Sequence, residues 1–310
     1  MRFVLLATVA CALAVAGCAS GADSPNQGSV STVTNDPAFT VDKLRAIDPC
    51  GLLDRDTLHP QGEAQDGSID EYPGTPNGLD DCAIDMQTFH HSPLRVEVAV
   101  GAEVTPTGSV TSVAGLPVRE QSLSGECYEQ IITPSPKIGI QVEVRTQYAS
   151  CVTARDVTTA MINHIRTNPP KRPSTAGSLS TIDPCATVED PTAAAAIGSA
   201  STQARPSLYE CDWHGGPLSL SVAFTVGDAQ VPNYGQAAPQ PVDLGGVTGY
   251  QVRPDGQTCE IGWNVRPIGA SHQFELVYVT VTNLGTQPVD TCAKTVAVAK
   301  SAKTKVPQPS

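Results

Sequence analysis

The chain has 310 residues, of which 40% are hydrophobic, and 31 acidic residues against 19 lysines and arginines give a formal net charge of −12. An acidic surface is not attracted to nucleic acid or to anionic lipid headgroups, which argues against a nucleic-acid-binding function. The hydrophobic content is sufficient for folded cores, and no apolar run after residue 17 is long enough to cross a bilayer.

The first 17 residues, MRFVLLATVACALAVAG, have the pattern of a secretory signal peptide: Arg2 precedes an apolar run that ends in small residues. Val15, Ala16 and Gly17 stand before Cys18 and match the bacterial lipobox, a signal for acylation of the cysteine and cleavage in front of it. Two or three acyl chains on one residue anchor a protein firmly. We therefore predict an exported protein that is lipid-anchored at Cys18 on the outer face of the cell membrane.

Composition divides the rest of the chain into segments. Residues 18–40 are small and polar and predict a flexible tether behind the lipidated cysteine. A proline-rich linker is predicted at 169–178 and a loose tail at 304–310. The remaining segments, 41–168 and 179–303, each have the usual size of one domain.

The two predicted domains repeat one cysteine pattern, and both open on the phrase Ile-Asp-Pro-Cys. Eight cysteines remain after Cys11 and Cys18 are set aside, and an even number in an exported chain predicts disulfides. No Cys-x-x-Cys pair indicates a zinc site. We predict that first pairs with second and third with fourth in each copy, namely Cys50–Cys82, Cys127–Cys151, Cys185–Cys211 and Cys259–Cys292. The alternative pairs first with fourth and second with third.

Matched stretches in the two copies alternate between apolar and polar residues. PLRVEVAVG at 93–101 matches PLSLSVAFTVG at 217–227, and KIGIQVEVRTQ at 137–147 matches HQFELVYVTVTN at 272–283. A period of two with many β-branched residues predicts strands of an antiparallel sheet that is covered on one face.

Helices are expected to cover these sheets. The stretch 150–165, with Ser150 as its N-cap, and the stretch 290–303, with Asp290 as its N-cap, predict one terminal helix in each domain. The apolar face expected for the first helix contains Val152, Val157, Ala160, Met161 and Ile165. In Asp-Pro-Cys, the aspartate is expected to cap a further helix whose first position is the proline.

These motifs together resemble the DUF3558 lipoproteins of actinobacteria and, more distantly, the extracellular sensor domain of a mycobacterial serine/threonine kinase. The shared features are the lipobox at Cys18, the Asp-Pro-Cys opening, and a cysteine followed two residues later by a bulky apolar side chain, Ile84 or Trp213. The resemblance implies an α+β fold of two tandem domains, each a curved antiparallel sheet packed with N- and C-terminal helices and two disulfides. It implies no catalytic residue. The first copy departs from the pattern in Ile84, where Trp is usual, and in the acidic insert 61–81.

The sequence offers few residues for chemistry. Gly-x-Ser-x-Gly, His-Glu-x-x-His and Ser-x-x-Lys are absent, so we expect neither an enzyme nor a cofactor. His90 and His91 are adjacent, which on a strand would turn them to opposite faces, and a solvated turn is the preferred interpretation over a metal site. His164 is interpreted as a packing residue of the terminal helix.

The acidic insert is considered as a calcium site because carboxylate oxygens suit calcium. It lacks the Asp-x-Asp-x-Asp-Gly order, so a solvated loop is preferred and no metal is predicted. Its acidic residues include Asp66, Asp70, Glu71, Asp80 and Asp81.

Trp213 and Trp263 are the only tryptophans and lie near cysteines of the second copy. They are candidates for lining a cleft for a ligand or partner, and packing against a disulfide is the alternative.

The sequence therefore predicts a non-enzymatic cell-envelope lipoprotein that binds a partner protein or an envelope ligand. The alternatives are a carrier of a small lipid-like ligand, which requires an apolar cavity, and an envelope enzyme with a nonstandard site.

The lipid anchor gives the first testable prediction. Cys18→Ala removes the acylated sulfur, so the variant is expected to move from the membrane fraction to the soluble fraction. Cell fractionation followed by immunodetection measures this, and a variant that stays with the membrane would show the anchor assignment to be wrong.

Overall fold

The structure is a computed structural model that describes residues 36–58, 63–64, 75–76, 78–87, 92–133, 138–146, 151–173, 175–198, 202–229, 239–268 and 272–308. It is a mixed α/β structure with two antiparallel sheets and four disulfides. The α-helices are α1 (Val41–Arg45), α2 (Arg55–Leu58), α3 (Cys151–Thr167), α4 (Asp190–Ile197) and α5 (Thr291–Lys303). None of the helices in the described part of the chain is long and apolar enough to cross a bilayer.

The first sheet is built from the amino-terminal half of the chain. Its strands are β1 (Glu63–Ala64), β2 (Thr75–Pro76), β3 (Asp81–Gln87), β4 (Pro93–Glu103), β5 (Ser109–Val113), β6 (Leu116–Leu123), β7 (Glu126–Ile131) and β8 (Ile138–Thr146). Their order is β1-β3-β4-β8-β7-β6-β5, and β2 also pairs with β3.

The second sheet is built from the carboxy-terminal half. Its strands are β9 (Thr202–Ser207), β10 (Glu210–Gly215), β11 (Leu218–Asp228), β12 (Gln240–Asp243), β13 (Thr248–Val252), β14 (Thr258–Pro267) and β15 (Gln273–Asn283). Their order is β12-β13-β14-β15-β11-β10-β9.

The two sheets have the same topology. If β3 to β8 are counted one to six in chain order, their order across the sheet is 1-2-6-5-4-3, and β10 to β15 follow the same order. The four strands predicted from period-two alternation are β4, β8, β11 and β15, and these predictions are confirmed. In each sheet the last strand lies between the second and the fifth strands. Each half therefore depends on pairing between strands that are distant in the sequence.

The four disulfides have the predicted pairing. One disulfide in each half joins the opening segment to a strand, Cys50 to Cys82 on β3 and Cys185 to Cys211 on β10. The other joins a strand to the first turn of the terminal helix, Cys127 to Cys151 and Cys259 to Cys292. The alternative pairing, first with fourth, is not formed.

Capping aspartates start the helical segments largely as expected. Asp290 Oδ1 accepts a hydrogen bond from the Ala293 amide at 3.0 Å and caps α5. Asp183 Oδ1 accepts from the Cys185 amide at 3.0 Å, and Asp48 Oδ1 from the Cys50 amide at 3.2 Å. Each Asp-Pro-Cys begins a single turn of 3-10 helix rather than an α-helix. Ser150 lies outside the described residues.

Each sheet buries one face against its terminal helix. Helix α3 packs on β7 and β8, and α5 packs on β14 and β15. The alternate residues Val96, Val98 and Val100 are at most 1% exposed, as their spacing predicts. The face assigned to α3 needs one correction, because Val152 is 62% exposed while Ala154 is buried. At about 100° per residue, Val152 lies on the side of the helix opposite the face that Ala154, Met161 and Ile165 form.

The ends of the fold extend beyond the predicted domain boundaries. Asp36 caps a 3-10 turn at Pro37–Phe39, and Phe39 is fully buried, so the last residues of the predicted tether belong to the first half. Val306, in the predicted loose tail, is also buried in the core. Single apolar side chains in otherwise polar segments account for both corrections, because they contribute burial without a periodic pattern.

The predicted linker is bonded to the opening segment of the first half. The Asp48 amide donates to the Pro170 carbonyl at 2.9 Å, and the Arg172 amide donates to the Ala46 carbonyl at 2.9 Å. Ile47 and Lys171 thereby form an antiparallel β-bridge.

Direct contacts also join the two halves. Strand β9 packs beside β4 and β8. The Leu208 amide donates to the Gly101 carbonyl at 3.1 Å, and an Arg45 Nη2 donates to the Leu208 carbonyl at 3.4 Å. Arg45 also lies 3.8 Å from Asp183, which Arg205 holds through two hydrogen bonds of 2.6 and 2.7 Å. Although burial disfavours its charge, Arg205 and Arg45 hold the pKa of Asp183 below its usual range.

Gly101 gives a test of this junction. Its φ is +95°, and a Cβ added there would lie 2.2 Å from Leu208 Cγ, whereas Gly115 has φ +80° and nothing within 4 Å of such a Cβ. Gly115→Ala carries only the backbone cost, about 1–2 kcal/mol, while Gly101→Ala adds overpacking and is expected to lower the free energy of unfolding by about 2–4 kcal/mol in total. Denaturant unfolding measures both, and equal losses would show that the junction is not tightly packed.

Candidate functional site

The halves and their linker form a cleft of about 470 Å³, whose surface is mainly apolar and carries several charged and polar side chains. The opening segment and the start of β3 form one wall, the linker forms a second, and the ends of β11, β14 and β15 form a third. The charged and polar side chains on these walls belong to Asp48, Asp81, Arg172, Thr175, Ser178, Ser180, Arg266, Gln273 and Glu275.

Arg172 is held in place by the linker and by an aromatic ring. Its amide is bonded to Ala46, as described, and its guanidinium carbon lies 5.8 Å from the centre of the Tyr209 ring, within cation–π range. The Tyr209 hydroxyl donates in turn to the Ser180 carbonyl at 3.0 Å. Burial raises the pKa of Tyr209, so this hydroxyl stays a donor.

The Arg172 guanidinium has no ion pair and no hydrogen bond to another described residue, and its Nε is inaccessible to solvent. Burial raises the pKa of the nearby Asp80 carboxyl, and the attraction of Arg172 partly opposes that shift. Arg172 therefore contributes an oriented positive group to the cleft, with donor capacity that the described part of the protein does not use.

The second cation of the cleft is neutralised. Arg266 Nη2 donates to Glu275 Oε1 at 2.7 Å, across the β14–β15 pair. The Ser178 hydroxyl donates to the same oxygen at 2.8 Å, and the Leu179 amide donates to Oε2 at 2.7 Å. Glu275 is only 2% exposed, and it fixes the end of the linker to the second sheet.

This arrangement presents several groups that can bind a polar ligand. The Ser178 hydroxyl contacts the Glu275 carboxylate, whose oxygens also accept hydrogen bonds from Arg266 and the Leu179 amide. On the opposite wall, Asp48 and Asp81 supply carboxylate oxygens. The cleft can therefore hold a polar group that accepts hydrogen bonds from Arg172 and donates to a carboxylate.

The prediction that Trp213 and Trp263 line a cleft is wrong. Both indoles are buried, with at most 1% of their surface exposed, and neither lines the cleft. Trp213 lies two residues after Cys211 and Trp263 four after Cys259, so alternation turns both rings to the sheet face that α4 and α5 cover. They are core residues of the second half.

Of the other candidate residues, Asp81 at the end of the acidic insert lines the cleft. Cys18, His90 and His91 are outside the described residues, as is most of the insert. His164 Nδ1 is 3.4 Å from Asp54 Oδ2, so this side chain pairs with the residue before α2. No cluster of three or more possible metal ligands is found among the residues that the structure describes.

A second depression lies between α4 and α5, with a volume of about 550 Å³. Alanines from both helices, Val298 and the stem of Lys294 line it, and it is open to solvent. The Lys294 ammonium donates to the Ala196 carbonyl at 2.6 Å and so caps the end of α4. An open groove of small side chains is not the enclosed apolar cavity that a lipid carrier needs.

Comparisons with known proteins do not assign a family. No family model matches the chain, and no curated protein sequence matches it. MucB in complex with MucA(peri) is 7% identical, covers 70% of this chain and 85% of its own, and has a TM-score of 0.17. DynU16, from the dynemicin biosynthetic locus, is 14% identical, covers 86% of this chain and 91% of its own, and has a TM-score of 0.17.

The complex of Pseudomonas aeruginosa MucA/MucB is 8% identical, covers 70% of this chain and 86% of its own, and has a TM-score of 0.14. Similarity at this level supports no conclusion about fold or function. The site must be judged by its own geometry.

Sequence reasoning missed Arg172 because it lies in a segment interpreted as a spacer. The available signal was a pair of cations, Lys171 and Arg172, between prolines in NPPKRPS. Prolines restrict the backbone of such a segment, so a cation that it carries loses little conformational entropy when a ligand binds.

The Glu275 pair provides a stability test. Glu275→Ala leaves the half-buried Arg266 guanidinium and the Leu179 amide without their acceptor, and we expect it to lower the free energy of unfolding by about 1–3 kcal/mol. Glu260→Ala is the control on the same sheet, because burial raises the pKa of Glu260 and its one hydrogen bond, from Thr280, is 3.5 Å long. Denaturant unfolding of both variants decides, and a loss no larger for Glu275→Ala than for the control would contradict the assigned role.

Proposed function

We propose that the chain is an exported lipoprotein, anchored at Cys18 to the outer face of the cell membrane, that binds a partner protein or envelope ligand without catalysing a reaction. The signal sequence and lipobox support export and anchoring. The four disulfides support an oxidising compartment, because such bonds persist mainly outside the cytoplasm.

The two halves are proposed to be tandem domains produced by duplication, with the DUF3558 lipoproteins as the related family. The identical order of six strands in the two sheets supports the duplication. The equivalent positions of both disulfides in each half support it further, because each ties the same kind of element to the same strand of its sheet.

The cleft between the halves is the proposed binding site. One observation carries this: Arg172 is fixed by the linker backbone and by the Tyr209 ring, yet its guanidinium forms no hydrogen bond or ion pair with the described residues. An oriented guanidinium is suited to a planar acceptor such as a carboxylate or a carbonyl group. Asp48 and Asp81 on the facing wall suit an amine or hydroxyl, so the proposed ligand group is polar and carries both donors and acceptors.

The binding proposal is tested with variants of two adjacent linker residues. Arg172→Gln removes the free guanidinium, and Lys171→Gln removes a charge from an exposed side chain that does not line the cleft. The full chain is expressed in its own host, released from membranes in mild detergent and examined by native mass spectrometry. We expect a bound small molecule, or a co-isolated protein after crosslinking in cells, to be reduced at least tenfold by Arg172→Gln only.

The outcomes separate the alternatives. Equal retention of the bound species in both variants would reject the cleft as the binding site. A copurified lipid that is indifferent to Arg172 would support the carrier, and turnover of envelope material that requires cleft residues would support an enzyme.

A further inference from the structure

Glu129 is a carboxyl group buried between the first sheet and α3. It lies on β7 with its residue fully inaccessible to solvent, two residues from Cys127 and on the same face. Cys127 is bonded to Cys151, the first residue of α3, so Glu129 lies beneath the first turns of that helix. This position is separate from the cleft and unconnected with the proposed function.

Two carboxyl groups share one guanidinium here. Glu120 on β6 is the direct cross-strand partner of Glu129. Arg155 on α3 is hydrogen-bonded to Glu120 through Nη2, whereas its Nε is 4.0 Å from Glu129 Oε1. Neither oxygen of Glu129 has a hydrogen-bond donor among the described residues. With both carboxyls ionised, one buried negative charge would be left uncompensated.

Other charged groups near this position do not relieve the excess. The β8 residue opposite Glu129 is Val142. The charged β8 residues Glu143 and Arg145 lie on the other face of the sheet, where they form an ion pair with each other. On α3, Asp156 acts on Arg155 and adds further negative charge. Burial, reinforced by Glu120, raises the pKa of Glu129 to about 8 from an ordinary 4.5.

The second half has no such group at the equivalent position. Two residues after Cys259, as Glu129 is after Cys127, stands Ile261, which is fully buried. Its partner on β13 is Gln251, and the α5 residue equivalent to Arg155, four after the helix cysteine, is Val296. The same fold therefore packs the terminal helix over an apolar side chain in the second half and over a pair of carboxyl groups in the first.

We propose that Glu129 is a proton-binding site that couples pH to the attachment of α3: the helix docks on a protonated Glu129 and loosens as the proton is lost. Below about pH 4.5 Glu129 is protonated whether α3 is docked or open. Between about 4.5 and 8 the open state ionises first, so docking weakens as pH rises through this interval. Helix α5 lacks the group and does not respond.

Hydrogen–deuterium exchange on the full chain tests this. After correction for the intrinsic exchange rate, the opening constant of the first two turns of α3 is expected to rise about tenfold per pH unit between roughly pH 5 and 7. The same constant for α5 is expected to stay level. Glu129→Gln keeps the shape without the charge and is expected to abolish the pH response of α3.

Two further variants keep the test decisive if Glu129→Gln folds poorly. Glu129→Ile copies the second half and is expected to flatten the response, and Ile261→Glu is expected to confer a response on α5. Matching pH profiles of α3 and α5 in the unmodified chain, or a steep α3 profile that survives both Glu129 variants, would overturn the proposal.

Discussion

Covalent attachment of helix to sheet is the constraint on which both halves depend. A sheet with one apolar face must be covered, and in each half a disulfide joins the first turn of the covering helix to a strand, Cys127 to Cys151 and Cys259 to Cys292. Closing such loops restricts the unfolded chain and contributes about 3 kcal/mol each. When the covering helix is fixed to the sheet in this way, the connections between strands can differ between the halves while the strand order stays the same.

The fold was predictable wherever a repeating pattern or a cap marked an element. Alternation located β4, β8, β11 and β15, and Asp290 marked the start of α5. The predictions were wrong where burial depends on one side chain. Phe39 and Val306 are buried within segments whose composition is polar, and no local pattern distinguishes such a residue from an exposed one. The error for Trp213 and Trp263 is the opposite one, because they were expected to line a cleft and are buried. Proximity to a cysteine does not indicate which face of a strand is covered.

The cleft could not be predicted, since its parts are distant in the sequence. Asp48, Arg172 and Glu275 come from the opening segment, the linker and the last strand, and only the contact between the halves brings them together. The shared strand order also conceals differences of chemistry, because Glu129 and Ile261 occupy matching positions with opposite polarity. A site formed at the junction of the two halves belongs to neither half alone.

The ion pair between Asp36 and Arg166 has a consequence for how the molecule would stand on a membrane. Arg166 is in the last turn of α3, so this ion pair of 2.8 Å holds Asp36 near the start of the segment that carries Arg172. With the proposed acylation at Cys18, the 18 peptide steps from Cys18 to Asp36 allow a separation of at most about 60 Å. The acylated segment would thus join the described region at the end of α3 that leads to the junction between the halves. Its length would limit how far this end of the molecule can lie from the lipid surface.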